Sequence, residues 1–336
     1  MNMKIAIYGA GSLGTVIGAY LTKAGLDVDL INRNRAHVEG MKTNGAHITG
    51  TIDLKVPVKA FLPEEMSEKY DIIFLLTKQQ ENKKVVQQIA RYLNKDGIIC
   101  TAQNGFPELS VAEVIGEEKT FGCTIAWGAT LLGNGVSELT SSPDSLTFSI
   151  GALSHQNEKK LHQIKEILEV MGTVDIERNF VGARWSKLAI NSAFSGVSTV
   201  LGCTIGEAAQ NNESRKCIQT VMKECFAVAD AAGIQMEPIQ GRDLRKLLDY
   251  TNRLKQLFSF MIIPIAMRKH ARLKASMLQD LEKGKRTEVD AINGVVTQYG
   301  KEYHVATPSN DKVVEIIHGI EAGNYTPSFE NVRLFV

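Results

Sequence analysis

The sequence predicts an α/β domain followed by an all-helical one, on three observations. Short β-branched runs alternate with helical patterns up to about residue 180, a glycine-rich turn joins the first run to the first helix, and past Gly182 strand signals give way to long 3.6-residue periodicity. At 336 residues the chain is long enough for two domains, each with its own core. The boundary is expected near residues 180–183, dividing the chain into 1–181 and 182–336. No Pro/Gly/Ser linker intervenes there, which implies a packed junction.

In order, strands are expected over 4–8, 28–32, 71–76, 97–101, 120–126 and 147–150, with one more short strand over 174–178. Helical patterns cover 13–24 and 82–92, which makes the run a series of βαβ units with a parallel sheet. Residues 46–59 alternate like an excursion of extended chain. In the second half the helical periods run over 184–199, 205–232, 241–261, 264–283, 287–299 and 310–322.

Composition narrows the function. With 38 Lys+Arg against 37 Asp+Glu the formal charge is +1, which lacks the surplus of basic residues a general nucleic-acid binder needs. The five cysteines, Cys100, Cys123, Cys203, Cys217 and Cys225, are scattered and form no cluster with zinc-ligand spacing, so no metal is expected and they read as reduced core thiols. The apolar stretch 257–267 is broken by Ser259 and Pro264 and falls short of the ~20 residues a membrane span requires. The first residues carry no secretory signal pattern, and a cytoplasmic location is the expectation.

The strongest motif is at the amino terminus, where the first strand runs into Gly9-Ala-Gly11-Ser12-Leu13-Gly14 and then a helix. This G-x-G-x-x-G context assigns the glycines separate tasks: a tight turn at Gly9, close approach to a pyrophosphate at Gly11, and helix–strand packing at Gly14. The helix directs free N–H groups, including those of Ser12 and Leu13, at the phosphates. At the end of the second strand, where an NAD enzyme places an acid on the ribose, the chain reads Asn32-Arg33-Asn34-Arg35. Two guanidiniums in place of a carboxylate suit a 2′-phosphate and favour NADPH over NADH, the alternative being solvated loop charges. Lys78 and Asn104 follow later strands, at the carboxyl edge where ligands of open α/β sheets bind, although Asn104-Gly105 is also a turn signal.

In the helical half, Lys187, Asn191 and Ser195 are spaced i, i+4, i+8 and form one polar stripe beside Trp185, Leu188, Ile190 and Phe194. The stripe serves a ligand or is a solvent-facing edge. Ser276 and Glu288 lie in two further polar segments, and Glu288 offers a carboxylate to a lysine. Thr287 and Asp290 have the pattern of an amino-terminal capping pair.

Together these pieces resemble the ketopantoate reductase family (2-dehydropantoate 2-reductase) over essentially the whole chain. The matching motifs are Gly9-x-Gly11-x-x-Gly14, Arg33, Lys78, Gln103-Asn104-Gly105, Trp185-x-Lys187-Leu-x-x-x-Asn191, Ser276-Met-x-x-Asp280, and Arg286-Thr-Glu288-x-Asp290-x-x-Asn293-Gly294. The resemblance implies a Rossmann dinucleotide-binding domain, a helical domain, and substrate held in the cleft between them. It implies Lys187 as the catalytic lysine with Glu288 as its carboxylate, and Asn191, Ser195 and Ser276 on the substrate side. It implies Arg33 on a 2′-phosphate, with Lys78 and Asn104 near the cofactor.

The implied reaction is NADPH-dependent reduction of ketopantoate to (R)-pantoate, for pantothenate and coenzyme A. The chain departs from the family at Ser195, where an Asn is common, at Gly196, where a Pro is usual, and at Leu273, where an Asn stands. Losing those polar groups changes which 2-oxo acid fits, so a paralogous reductase of another 2-oxo acid is the alternative. A non-catalytic NADPH-binding protein is a third reading, against which Lys187 and Glu288 together argue. The stretch 257–267 is either a core helix or the seam of a homodimer formed through the helical half.

Overall fold

The computed structural model of the chain describes residues 3–154, 158–239 and 241–335. Two compact units emerge, one formed by Met1–Gln103 with Pro107–Phe180, the other by Asn104–Phe106 with Val181–Val336.

The first unit holds twelve strands among the described residues: β1 Lys4–Tyr8, β2 Asp27–Ile31, β3 Ala46–Gly50, β4 Leu54–Val56, β5 Lys59–Phe61, β6 Tyr70–Leu75, β7 Leu93–Thr101, β8 Thr120–Ile125, β9 Ala129–Gly133, β10 Val136–Leu139, β11 Thr147–Ala152 and β12 Thr173–Ile176. Eight of them form a sheet in the order β12-β11-β8-β7-β6-β1-β2-β5. Its pairs are parallel except β11 against β8. The central strands are buried on both faces. Ile5 and Ile7 join one core with Leu30, Phe74 and Cys100, whereas Ala6 and Tyr8 join another with Ile73, Leu75, Val86 and Val111. That two-sided burial is why the strands read as continuous apolar runs. β1 lies between β2 and β6, so the chain reverses direction across the sheet there and leaves a switch point at the carboxyl end of β1.

The expected α/β-then-helical order holds, and the extended excursion over 46–59 becomes β3, β4 and the start of β5. Two strands had no counterpart in the sequence reading. β9 and β10 form a hairpin that pairs with β3 to make a second, four-stranded sheet, ordered β4-β3-β10-β9, which packs on the Ser12–Lys23 helix. Its turn runs through Gly133, Asn134 and Gly135, all at positive φ.

In the second unit several periodic stretches are broken. The 205–232 pattern is two helices, Ile205–Gln210 and Asn212–Ala231, because Asn211 turns out of the first and accepts at Oδ1 from the Glu213 and Ser214 amides (2.9 and 3.2 Å) to cap the second. The 241–261 pattern likewise splits before Asn252, which caps Arg253–Ala266. Pro264 does not open a helix but sits inside that one. A proline there withholds the amide that would bond the Phe260 carbonyl, and Arg215 supplies a replacement, donating from Nη1 to that oxygen at 3.3 Å. Arg253–Ala266 buries only Ser259 and Ile263, while Leu254, Leu257, Phe258, Met261 and Ile265 stand exposed along it. The five cysteines are buried and form no disulfide among the described residues. Among the described residues, no helix is long and apolar enough to cross a membrane.

Candidate functional site

In the first unit the glycine turn sits at the switch point. The Gly9 and Ala10 amides both donate to the Ile31 carbonyl at 2.9 Å, fastening the turn to the end of β2. Gly9 has φ +103°, and a Cβ there would stand 2.6 Å from the Thr77 nitrogen after β6. At Gly14 a Cβ would meet the Gly9 oxygen at 2.6 Å and Ile7 at 3.1 Å. These two glycines are therefore required by the protein's own packing. Gly11 differs, because the nearest atom to a Cβ there is the Gly9 oxygen at 3.9 Å. The space over Gly11 is a cradle a side chain would fill. The helix that opens at Ser12 has no side-chain cap and no acidic residue in its first turn, so its positive end is left for an anion. The cradle fits the pyrophosphate of a dinucleotide.

The turn is braced from behind. The Ala10 carbonyl accepts from Asn32 Nδ2 at 2.7 Å and from the Thr15 hydroxyl at 3.1 Å. Thr15 in turn lies 3.0 Å from His37 Nε2, and His37 Nδ1 accepts from the Gly135 amide at 3.0 Å. Because Nδ1 accepts, the imidazole is neutral with its proton on Nε2. Burial pushes its pKa below the usual 6.5. Sequence reading missed this histidine, whose partners lie 22 and 98 residues away.

The two arginines after β2 have separate surroundings. Arg35 pairs with Glu64 at 3.4 Å on the surface. Arg33 is exposed with no ion pair among the described residues; the Glu81 carboxyl beside it is lowered chiefly by its hydrogen bond to Lys84, with the Arg33 charge adding slightly, and the rise that burial gives Tyr8 is opposed by Arg33. Lys78 is exposed beyond the end of β6. The loops after β6 and β7 are tied by buried Gln103, whose Nε2 donates to the Thr77 carbonyl (2.7 Å) and to Asn82 Oδ1 (2.9 Å). Next to it, exposed Asn104 belongs with Gly105 and Phe106 to the second unit, where Phe106 lies 6.5 Å from the Tyr299 ring.

In the second unit, Lys187, Asn191 and Ser195 are each half-buried on a helix whose intervening residues, Ile190 excepted, are buried. The i, i+4, i+8 spacing does not by itself align them. An α-helix turns about 100° per residue, so positions 187 and 195 would drift roughly 80° apart. The helix Phe180–Ile190 instead passes into a π turn over Asn191–Gly196 before resuming as Val197–Leu201. A π turn takes in one extra residue and so takes back about 100°, which returns Ser195 to within a few tens of degrees of Lys187. The Ser195 carbonyl accepts from the Thr199 hydroxyl at 2.7 Å, and the Ser192 carbonyl accepts from Asn293 Nδ2 at 3.2 Å.

Two more segments complete the set. Exposed Ser276 opens the helix Ser276–Glu282, which packs against the π turn. Just before it, Leu273 projects into solvent at 53% exposure while its carbonyl accepts from the Ile205 amide. Glu288 is half-buried at the head of the tight turn Val289–Ala291, which feeds the helix Asn293–Glu302. Thr287 and Asp290 do not form the expected capping pair: the Thr287 hydroxyl accepts from the Val289 amide at 3.3 Å, and Asp290 pairs with His318 at 3.1 Å. A 3₁₀ turn in place of the first α-turn carries Asp290 away.

Comparison with known proteins agrees with this layout. Residues 5–153 match the family described as ketopantoate reductase PanE/ApbA, and residues 179–321 match its C-terminal domain. A 2-dehydropantoate 2-reductase of Pyrococcus abyssi is 32% identical over 327 residues, covering 95% of this chain and 98% of that protein. One from Streptococcus pyogenes is 26% identical over 95% of this chain and 98% of its own length. Among solved structures, a D-mandelate dehydrogenase with NADH and anilino(oxo)acetate superimposes with a TM-score of 0.81 at 25% identity, covering 96% of this chain and 99% of that one. Matched in both halves and along nearly its whole length, the chain belongs to the ketopantoate reductase family.

Proposed function

We propose that the protein is an NADPH-dependent reductase of a short 2-oxo acid, with ketopantoate reduced to (R)-pantoate, for pantothenate and coenzyme A synthesis, as the leading reaction. The observation that carries this reading is the aligned line of Lys187, Asn191 and Ser195, the polar line left accessible on a helix otherwise packed in apolar core. A solvated helix edge needs no π turn to keep it straight.

In this reading the amides of Gly11, Ser12, Leu13 and Gly14 receive the pyrophosphate, with Gly9 shaping the turn. Arg33, uncommitted where Arg35 is held by Glu64, takes the 2′-phosphate. Lys78 and Asn104 complete the cofactor contacts. When bound there, a reduced nicotinamide would supply the hydride for the C2 carbonyl carbon of the substrate. Negative charge then develops on the carbonyl oxygen, where the Lys187 ammonium holds it and delivers the proton from Nζ that makes the hydroxyl. Glu288 keeps the lysine and the substrate hydroxyl in register. Asn191, Ser195 and Ser276 orient the polar end of the substrate.

A second reading rests on Leu273 and on the likeness to a D-mandelate dehydrogenase: an apolar side chain flanking Ser276 suits a 2-oxo acid with an apolar or aromatic substituent. The exposed row of Leu254, Leu257, Phe258, Met261 and Ile265 supports a homodimer through the helical unit. The deciding test is NADPH oxidation with ketopantoate, 2-oxoisovalerate and phenylglyoxylate, using wild type and Lys187→Ala. Preference for ketopantoate, reduced about 10²–10⁴-fold by Lys187→Ala with NADPH affinity retained, supports the leading reaction. Preference for phenylglyoxylate supports the second. No turnover of any 2-oxo acid refutes both.

A further inference from the structure

The orientation of Asn293 follows from a chain of acceptors. The Glu224 carboxylate accepts from the Ser309 and Asn310 amides (2.8 and 2.9 Å) at the start of the helix Pro308–Glu321, and from Asn310 Nδ2 at 2.8 Å. A carboxylate only accepts, so Asn310 must present its nitrogen to Glu224 and leaves its oxygen for a donor. Asn293 Nδ2 is that donor, at 2.9 Å, and the same nitrogen reaches the Ser192 carbonyl, 101 residues away in sequence, at 3.2 Å. Asn293 and Asn310 are fully buried, and Asn293 Oδ1 has no hydrogen-bond partner among the described residues. That oxygen lies against Gly196, where a Cβ would stand 2.7 Å from Oδ1 and 3.1 Å from Nδ2.

A buried amide oxygen left without a donor is a cost, and the arrangement keeps it while directing both N–H groups to acceptors. One of those acceptors is a backbone carbonyl in the π turn. Inserting a side chain beside a helical ladder is one of the ways an i→i+4 winding is opened.

We propose that Asn293 is a positioning residue for the substrate line. Its bond to the Ser192 carbonyl, with Gly196 making room for it, holds the π turn that returns Ser195 to the side of Lys187 and Asn191. The inference rests on the reductase reading for its kinetic consequence but not for its geometry. Without the bond the helix reverts to α winding, and Ser195 returns to roughly 80° from Lys187 around the helix.

The test is a double-mutant cycle on the preferred 2-oxo acid with Asn293→Ala, Ser195→Ala and the pair, together with the dissociation constant for NADPH. Asn293→Ala is expected to raise KM about fivefold or more, the scale of one hydrogen bond, while NADPH affinity is unchanged. In the Ser195→Ala background the same substitution should add almost nothing to KM. Independent, multiplicative effects, or a loss of NADPH affinity in step with Tm, would overturn the proposal in favour of general loosening. If Asn293→Ala does not fold, Gly196→Ala runs the same cycle with the amide retained, and an unchanged KM overturns the proposal. Absence of wild-type turnover counts against the reductase reading instead. The crystal structure of the variant then decides, and a π turn preserved without the Asn293 bond overturns the proposal.

Discussion

Two glycines of one motif should fail in different ways when each is given a methyl group. At Gly14 the added Cβ lands 2.6 Å from the Gly9 oxygen and 3.1 Å from Ile7, with backbone and a core side chain as the obstacles. Overpacking of that kind costs about 1–3 kcal/mol. For a unit of this size, each kcal/mol lowers Tm by roughly 2–4 °C, so Gly14→Ala should melt about 2–12 °C below wild type. At Gly11 the added Cβ meets nothing nearer than 3.9 Å, so Tm should stay within about 3 °C of wild type. The methyl group does occupy the cradle above the helix terminus, where it denies a phosphate at least one charge-assisted bond, worth about 1.5–3 kcal/mol. NADPH should therefore bind about tenfold to a hundredfold more weakly to Gly11→Ala. Calorimetric melting of the free protein and titration with NADPH measure both quantities on the same samples. An unchanged NADPH affinity in Gly11→Ala, or a Tm loss there as large as in Gly14→Ala, would refute the assignment of the cradle.

Arg33→Ala should weaken NADPH by about tenfold to a hundredfold while leaving NADH nearly unchanged, because the phosphate loses a charge-assisted partner that NADH never uses; equal losses for both would show that Arg33 reads something else. His37 gives the protein an acid-sensitive stability. Its folded-state pKa lies below the 6.5 of the free side chain, so as pH falls through about 6.5 the unfolded chain takes up a proton that the folded one refuses. Stability is then lost at up to ~1.4 kcal/mol per pH unit until the folded-state pKa is reached. Urea midpoints between pH 7.5 and 5.5 should show a slope that His37→Gln reduces, and an identical slope in the variant would exclude the histidine as its source. Leu257→Glu with Phe258→Glu should turn a sedimenting dimer into a folded monomer, and an unaltered assembly would clear that face of the role.

Much of the layout was legible because it is local. The strand, glycine turn and helix of residues 4–23, the alternation of strands with helices, and the later helical texture depend on which neighbours along the chain are buried together, and periodicity records that. The Gly9, Gly11 and Gly14 pattern was equally visible, since a turn between adjacent elements is specified by its own residues. The helix breaks at Asn211 and Asn252 were overlooked although both are good capping residues, because apolar periodicity runs on across them.

Other features were decided only when distant parts of the chain met. The β9–β10 hairpin has its partner in β3, some ninety residues earlier, and nothing near it in sequence announces the pairing. Arg33 and Arg35 are alike as letters, and Glu64 alone separates them. A spacing of four and eight placed Lys187, Asn191 and Ser195 on one stripe, yet α winding would have pulled the last of them aside. What aligns them is a π turn bonded by Asn293, and a hydrogen bond across 101 residues leaves no periodic trace for a sequence to show. The sequence by itself therefore determined the order of elements and the kinds of groups available. Tertiary structure decided which of those groups stand in line, because alignment depends on donors and acceptors that only folding brings within 3 Å or so of each other.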